Sequence, residues 1–141
     1  MKLNPYLIFD GQADEAVRFY THALGAKLEM LSRYGESPME AQPGYENRII
    51  HARLSFGDNV LMISDASPGN EVANGHIVQL SLNFVGDDEA VRKTFERLSS
   101  EGKVTQPLAQ QFWGALFGMC VDKFGIAWMV NGEPASAVAP N

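Results

Sequence analysis

The sequence predicts an α+β fold made of two βαβββ modules in tandem, and two observations carry that prediction. The first is a duplication. Leu7-Ile8-Phe9-Asp10-Gly11, followed at once by Asp14-Glu15-Ala16-Val17-Arg18, returns as Leu82-Asn83-Phe84-Val85-Gly86 followed by Asp88-Glu89-Ala90-Val91-Arg92. The second is a change of hydrophobic period within each copy, from strand to helix across the glycine. A solenoid repeat would recur more often and at shorter spacing, so two copies point to two fused halves. Paired halves tend to leave a cleft where a small molecule binds.

Each element has its own local reason. Leu3 to Phe9 is apolar and stops at Asp10-Gly11, as a strand does. Over 13–24, Ala16, Phe19, Tyr20, Ala23 and Leu24 recur at helical spacing, and Gly25 stands where a helix-terminating glycine belongs. Residues 26–34 read as a second strand. Residues 35–47 hold Gly35, Pro38, Pro43 and Gly44 and read as a loop long enough to cover a site. Ile49 to Phe56 and Asn59 to Asp65 form two strands around a Gly57-Asp58 turn. Module one therefore spans 1–66, and a Pro/Gly/Asn/Ser-rich linker follows over 67–75. Module two, 76–132, repeats the order: a strand from Ile77 to Val85, a helix from Asp88 to Ser100 with Ala90, Val91, Phe95 and Leu98 apolar, and strands near 103–109, 114–121 and 126–131. The Ala- and Pro-rich tail, 133–141, is expected to fray. The 141 residues make one domain.

Composition bounds the function. A net charge of -6 argues against a nucleic-acid partner, because phosphate binding needs clustered Lys and Arg. A single cysteine, Cys120, excludes an internal disulfide and fits a reducing compartment. It sits between Met119 and Val121 in a strand, which predicts a buried, inert thiol. No apolar run approaches the ~18 residues of a membrane span, and the first residues lack a signal-peptide layout. A cytoplasmic protein without membrane partners is expected.

Strand alternation sorts the side chains by face. Leu7 and Phe9, with their repeat partners Leu82 and Phe84, belong under the helices. Asn4, Tyr6 and Ile8 then take the other face in module one, and Gln79, Ser81 and Asn83 take it in module two. The parity of Ala52, Leu54 and Phe56 puts His51 and Arg53 on that same face. Two sheets side by side would curl these faces into a shared cup. The face of the last strand stays open, since Ile126, Ala127, Trp128, Met129 and Val130 are all apolar. Arg53 offers a fork for a carboxylate or phosphate, and His51 a hydrogen-bonding or proton-transfer group. A Ser81-His51-Asp65 triad has all its residue types present, but spacing gives no reason to bring them together.

Several motifs along the chain resemble the vicinal oxygen chelate superfamily, the glyoxalase, bleomycin-resistance and extradiol-dioxygenase group. They are Leu3-Asn4-Pro5-Tyr6-Leu7, Phe19-Tyr20, Leu24-Gly25, His51-Ala52-Arg53-Leu54 and Leu61-Met62-Ile63-Ser64-Asp65, then Phe112-Trp113-Gly114 and Asp122-Lys123-Phe124-Gly125-Ile126-Ala127-Trp128. The match is narrower still to the PhnB-like branch, whose members often carry a 3-demethylubiquinone methyltransferase label. The resemblance implies the glyoxalase/bleomycin resistance/dihydroxybiphenyl dioxygenase fold, with a cupped mixed sheet, and a homodimer. It also implies four ligand positions in the metal enzymes of the superfamily. Here those positions fall on Asn4 (or Tyr6), Gln79, His51 and Met129, so His51 is the only good ligand among them. No glycine-rich turn fits a methyltransferase's nucleoside cofactor.

The expected function is metal-independent binding of a small, anionic metabolite, without a cofactor. The expected floor is Asn4, Tyr6, His51, Arg53, Gln79 and Ser81, and the apolar wall Met62, Trp113 and Met129. The alternatives are a metal-dependent lyase or isomerase of glyoxalase type with a divalent metal displaced onto His51, and a protein whose role is assembly alone.

Overall fold

The computed structural model describes residues 3–38, 41–70, 72, 78–112 and 114–135. The chain divides into two compact units, Met1–Ala73 and Asn74–Asn141, each with its own sheet and helix. Among the described residues no helix is long and apolar enough to cross a membrane.

The first unit contains β1 (Tyr6–Phe9), α1 (Ala13–Leu24), β2 (Lys27–Arg33), a short 3-10 turn at Tyr34–Glu36, β3 (Ile49–Phe56) and β4 (Asn59–Asp65). Its sheet runs β1-β4-β3-β2, with β1 parallel to β4 and the other neighbours antiparallel. The parallel strand starts at Tyr6 rather than Leu3. Pro5 has no N–H to give, and its carbonyl accepts from the Met62 N–H at 3.1 Å as the pairing begins. Gly57, at φ 57, supplies the left-handed residue of the two-residue β3–β4 hairpin between Phe56 and Asn59.

Helix α1 packs on β3 and β4. Its buried stripe is Ala13, Ala16, Val17, Tyr20 and Ala23. Phe19 and Leu24, expected on this face, are only half-buried, and Val17 takes the central place. Beneath the stripe lie Phe9, Ala52, Leu54, Leu61 and Ile63, all buried. The N-terminus of α1 has no cap of its own, for the Gln12 side chain makes no capping bond. The buried carboxylate of Asp65, at the end of β4, supplies it: Oδ1 accepts from Gly11 N at 2.7 Å and Ala13 N at 3.1 Å. Its other oxygen accepts from Ile49 N at 3.0 Å and so fixes the start of β3.

The second unit contains β5 (Leu80–Val85), α2 (Asp88–Ser99), β6 (Lys103–Gln110), β7 (Leu116–Val121) and β8 (Ala127–Glu133). The sheet order β5-β8-β7-β6 repeats the first topology, with β5 parallel to β8. Strand β8 runs through Glu133, into the stretch expected as tail. Here Asp87 caps its own helix, accepting from Ala90 N at 3.0 Å. Gly118 and Gly132 let α2 lie close to the sheet: a Cβ on Gly132 would sit 2.7 Å from Val91 Cγ2, and one on Gly118 would sit 2.9 Å from the Phe95 ring. The face left open for the last strand is settled, since Trp128 and Val130 are buried under α2 and Met129 and Asn131 take the other side. The buried carboxylate of Asp122 gathers the β7–β8 turn, accepting from Phe124 N, Ile126 N and Trp128 Nε1 at 2.9, 3.0 and 2.8 Å.

Candidate functional site

The face of the first sheet away from α1 carries Tyr6, Ile8, His51, Arg53, Met62 and Met30. Register sets their order. Tyr6 pairs with Met62, Met62 with Arg53 and Arg53 with Met30, making one row across four strands. His51 stands two residues from Arg53 on the same face, about 7 Å along β3. The Tyr6 hydroxyl lies 2.9 Å from His51 Nδ1, with the two rings 5.7 Å apart between centroids. In one direction of this bond the phenol donates to a neutral imidazole; in the other the Nδ1 proton is donated to the phenol oxygen. Tyr6, Ile8 and Met30 are 43%, 52% and 44% exposed, so apolar side chains on this face are open to solvent beside the polar pair. Register adds Ser64 opposite Ile8, Ser32 opposite His51, and Ser55, which bonds Glu29 at 2.6 Å.

Arg53 is the charged member of the row, and it is exposed. The other described Arg and Lys side chains of the unit all meet carboxylates. Arg18 and Arg33 each reach Asp14 at 3.3 Å, Arg48 reaches Asp10 at 2.8 Å and Lys27 reaches Glu29 at 4.0 Å. Among the described residues of this unit, Arg53 alone of these cations has no acidic partner.

Beside the face, the segment after β2 is pinned to the sheet and to the α1 entry. Tyr34 donates its hydroxyl to the Asp65 carbonyl at 3.1 Å, and burial, then the Asp65 carboxylate, push its phenol above the usual range. Arg48 lies 4.3 Å over the Tyr45 ring, and its bond to Asp10 raises its affinity for its proton further.

The expected site residues distribute as follows. Tyr6, His51, Arg53 and Met62 come together in the first unit. Asn4 is half-buried and lies outside β1. Gln79 is exposed and precedes β5, while Ser81 pairs with Met129 on the helix-free face of the second unit. Trp113 lies outside the described residues. Met30 escaped the sequence reading because β2 shifts register between Leu28 and Met30, so simple alternation along that strand does not give its face. The triad of Ser81, His51 and Asp65, which spacing gave no reason to expect, does not assemble on the Asp65 side. Asp65 belongs to the helix face and is engaged by three backbone N–H groups, whereas the His51 partner is Tyr6. Cys120 is buried, and burial, with Asp122 nearby, pushes its thiol up to about 11, which makes it a poor nucleophile.

Residues 2–130 match the family model of the Glyoxalase/Bleomycin resistance protein/Dioxygenase superfamily. The chain belongs to this superfamily. Among its relatives, YjdN of Escherichia coli strain K12 is 33% identical, over 93% of this chain and 95% of that one. Of solved structures, protein PA1353 from Pseudomonas aeruginosa is similar at 39% identity and TM-score 0.86, covering 95% of this chain and 98% of that one. A PhnB protein from Bacillus cereus, which carries a provisional 3-demethylubiquinone-9 3-methyltransferase name, follows at 26% identity and TM-score 0.78, over 94% and 99% of the two chains. The superfamily and its PhnB-like neighbours are those that the motifs pointed to.

Superfamily membership raises the question of a metal, and the donor set does not fit one. Of the four positions implied by the resemblance, Asn4 or Tyr6, Gln79 and Met129 offer no imidazole, thiolate or carboxylate. The fourth, His51, has its Nδ1 engaged by Tyr6. Among the described residues no group of three or more His, Cys, Asp or Glu side chains is placed to hold an ion. A zinc site needs three or four such donors.

Proposed function

We propose that this superfamily member binds a small anionic metabolite, without a metal or other cofactor, on the helix-free face of the first unit's sheet. The observation that carries this reading is Arg53: a guanidinium with no acidic partner among the described residues, on an exposed face, in a unit whose other described Arg and Lys side chains are paired. Arg53 holds the anion, the Tyr6–His51 pair supplies a hydrogen bond in either direction, and Met62 and Met30 supply adaptable apolar contact. In this reading the protein is a cytoplasmic homodimer and has no nucleic-acid or membrane partner.

Isothermal titration of a metabolite panel against wild type and Arg53→Ala tests the reading. At least one anion should bind wild type and weaken in the variant, and a panel that does not distinguish the two proteins removes the anion site. Elemental analysis of protein purified without chelator tests the metal-free part. A stoichiometric divalent metal that disappears in His51→Ala would restore a glyoxalase-type lyase or isomerase. Size-exclusion chromatography with light scattering should give twice the 15.5 kDa chain mass.

A further inference from the structure

The chemistry of this face narrows the ligand beyond its charge. A phosphate monoester is a dianion, and proteins hold it with several donors: two or more cations, or a run of backbone N–H groups. Here the donor is a single guanidinium. The next cation by register, Lys27 opposite Ser55, faces Glu29 at 4.0 Å, Arg33 and Arg48 are held by Asp14 and Asp10, and the chain as a whole carries a net charge of -6. A lone arginine fork suits the two oxygens of one carboxylate.

The cross-strand neighbours of the fork are apolar. Met62 and Met30 are its cross-strand neighbours on either side, and Ile8, 52% exposed, lies on the same face. A bare inorganic anion would leave these side chains uncovered, whereas an apolar body would bury them. The nearest polar pair on one side is Tyr6–His51, with His51 two residues from Arg53, roughly 7 Å along the strand; Ser64 on this face is buried opposite Ile8, Ser32 stands opposite His51, and on the other side of Arg53 the Ser55 hydroxyl is already given to Glu29 at 2.6 Å.

We infer that the ligand is an amphipathic monocarboxylate: an apolar body with one carboxylate on Arg53 and, roughly 7 Å away, one hydroxyl, carbonyl or amine at the Tyr6–His51 pair. This rests on the reading of Arg53 as the anion site.

Four probes separate the two claims by isothermal titration: 3-(4-hydroxyphenyl)propanoate, its parent 3-phenylpropanoate, 4-hydroxyphenyl phosphate and acetate. The hydroxylated carboxylate should bind tightest. Arg53→Ala should weaken it about 10-fold or more, and Arg53→Lys nearly as much, because an ammonium lacks the planar fork. Loss of the ring hydroxyl should weaken wild type several-fold and leave Tyr6→Phe almost unchanged, with circular dichroism confirming that each variant is folded. An Arg53-dependent preference for the phosphate or for acetate overturns the carboxylate class and leaves the anion site standing. Failure of every probe to show Arg53 dependence removes the anion site and this inference with it.

Discussion

In the first unit Tyr6 pairs with Met62 and Met62 with Arg53; in the second, Ser81 pairs with Met129 and Met129 with Met119. The two ladders are the same, so these residues occupy equivalent places on the helix-free face. His51, two before Arg53, corresponds to Phe117, two before Met119. A tyrosine, a histidine and an arginine in one copy stand as serine, phenylalanine and methionine in the other. Backbone duplication has preserved topology and register while the chemistry has collected on one copy. The helix faces differ as well. Phe9 pairs with Asp65, and its counterpart Phe84 pairs with Gly132. Where the first unit caps α1 from the sheet with a buried carboxylate, the second has a glycine pressed against Val91 and caps α2 locally with Asp87.

The cap is where this contrast should break most visibly. Asp65→Ala leaves three backbone N–H groups without their acceptor, two of these bonds being fully buried. An unsatisfied buried donor costs about 1–3 kcal/mol, so the variant should lose about 3–5 kcal/mol in urea unfolding. Asp87→Ala removes one exposed capping bond and should cost about 1 kcal/mol. Equal losses would mean that the two caps are energetically equivalent and that the carboxylate under α1 is no keystone.

The duplication was legible because Leu-x-Phe and Asp-Glu-Ala-Val-Arg lie in strand and helix positions whose period is fixed by backbone geometry. The same parity placed Tyr6, His51, Arg53 and Met62 on one face. What stayed hidden was long-range or irregular. Nothing near Gln12 announces that its helix is capped by Asp65, more than fifty residues on. Met30 follows a bulge that breaks alternation, and Val17 displaces Phe19 from the buried stripe because the small Ala13, Ala16 and Ala23 bring that side of the helix onto the sheet. The Tyr6–His51 bond joins strands that are not direct neighbours, a contact visible only once β4 is placed between them.

The second test acts on the helix-free faces. Arg53→Met gives the first unit the residue that the second carries at Met119. A charge-assisted hydrogen bond contributes about 1.5–3 kcal/mol, so anion affinity should fall about 10–100-fold. Stability should move by less than about 0.5 kcal/mol, because Arg53 is exposed and has no acidic partner among the described residues. Met119→Arg adds a cation to the second unit without a tyrosine–histidine pair beside it and should leave anion affinity unchanged. Titration and urea unfolding on the same samples read both effects. A gain of binding in Met119→Arg would show that either copy can serve once charged.

The third test uses the core. Cys120 occupies the place that Leu54 holds in the first unit, and both are buried beneath their helices. The thiol is raised from 9.0 to about 11 in the folded protein. Its contribution is therefore fully present below pH 9, declines as the unfolded thiol ionises first, and is lost by about pH 11. The slope in that window is about 1.4 kcal/mol per pH unit. Cys120→Val should flatten the alkaline decline in unfolding free energy, whereas Leu54→Val should lower stability equally at pH 7 and pH 10. Parallel pH profiles for wild type and Cys120→Val would mean that the thiol does not titrate across unfolding.

The smallest expected effect concerns surface ion pairs. Arg48 and Asp10 meet at 2.8 Å, with side chains 28% and 72% exposed; Lys93 and Glu89 of α2 lie 4.0 Å apart and are 58% and 87% exposed. Contact with the Tyr45 ring orders the Arg48 side chain before the bond forms, which reduces the entropy cost of pairing. A double-mutant cycle on Arg48 and Asp10 should return about 0.5–1 kcal/mol at low salt, and the Lys93–Glu89 cycle less than about 0.5. Both should shrink in 1 M salt, where charges several ångströms apart are screened. If the two cycles agree, ordering by Tyr45 adds nothing to the Arg48–Asp10 pair.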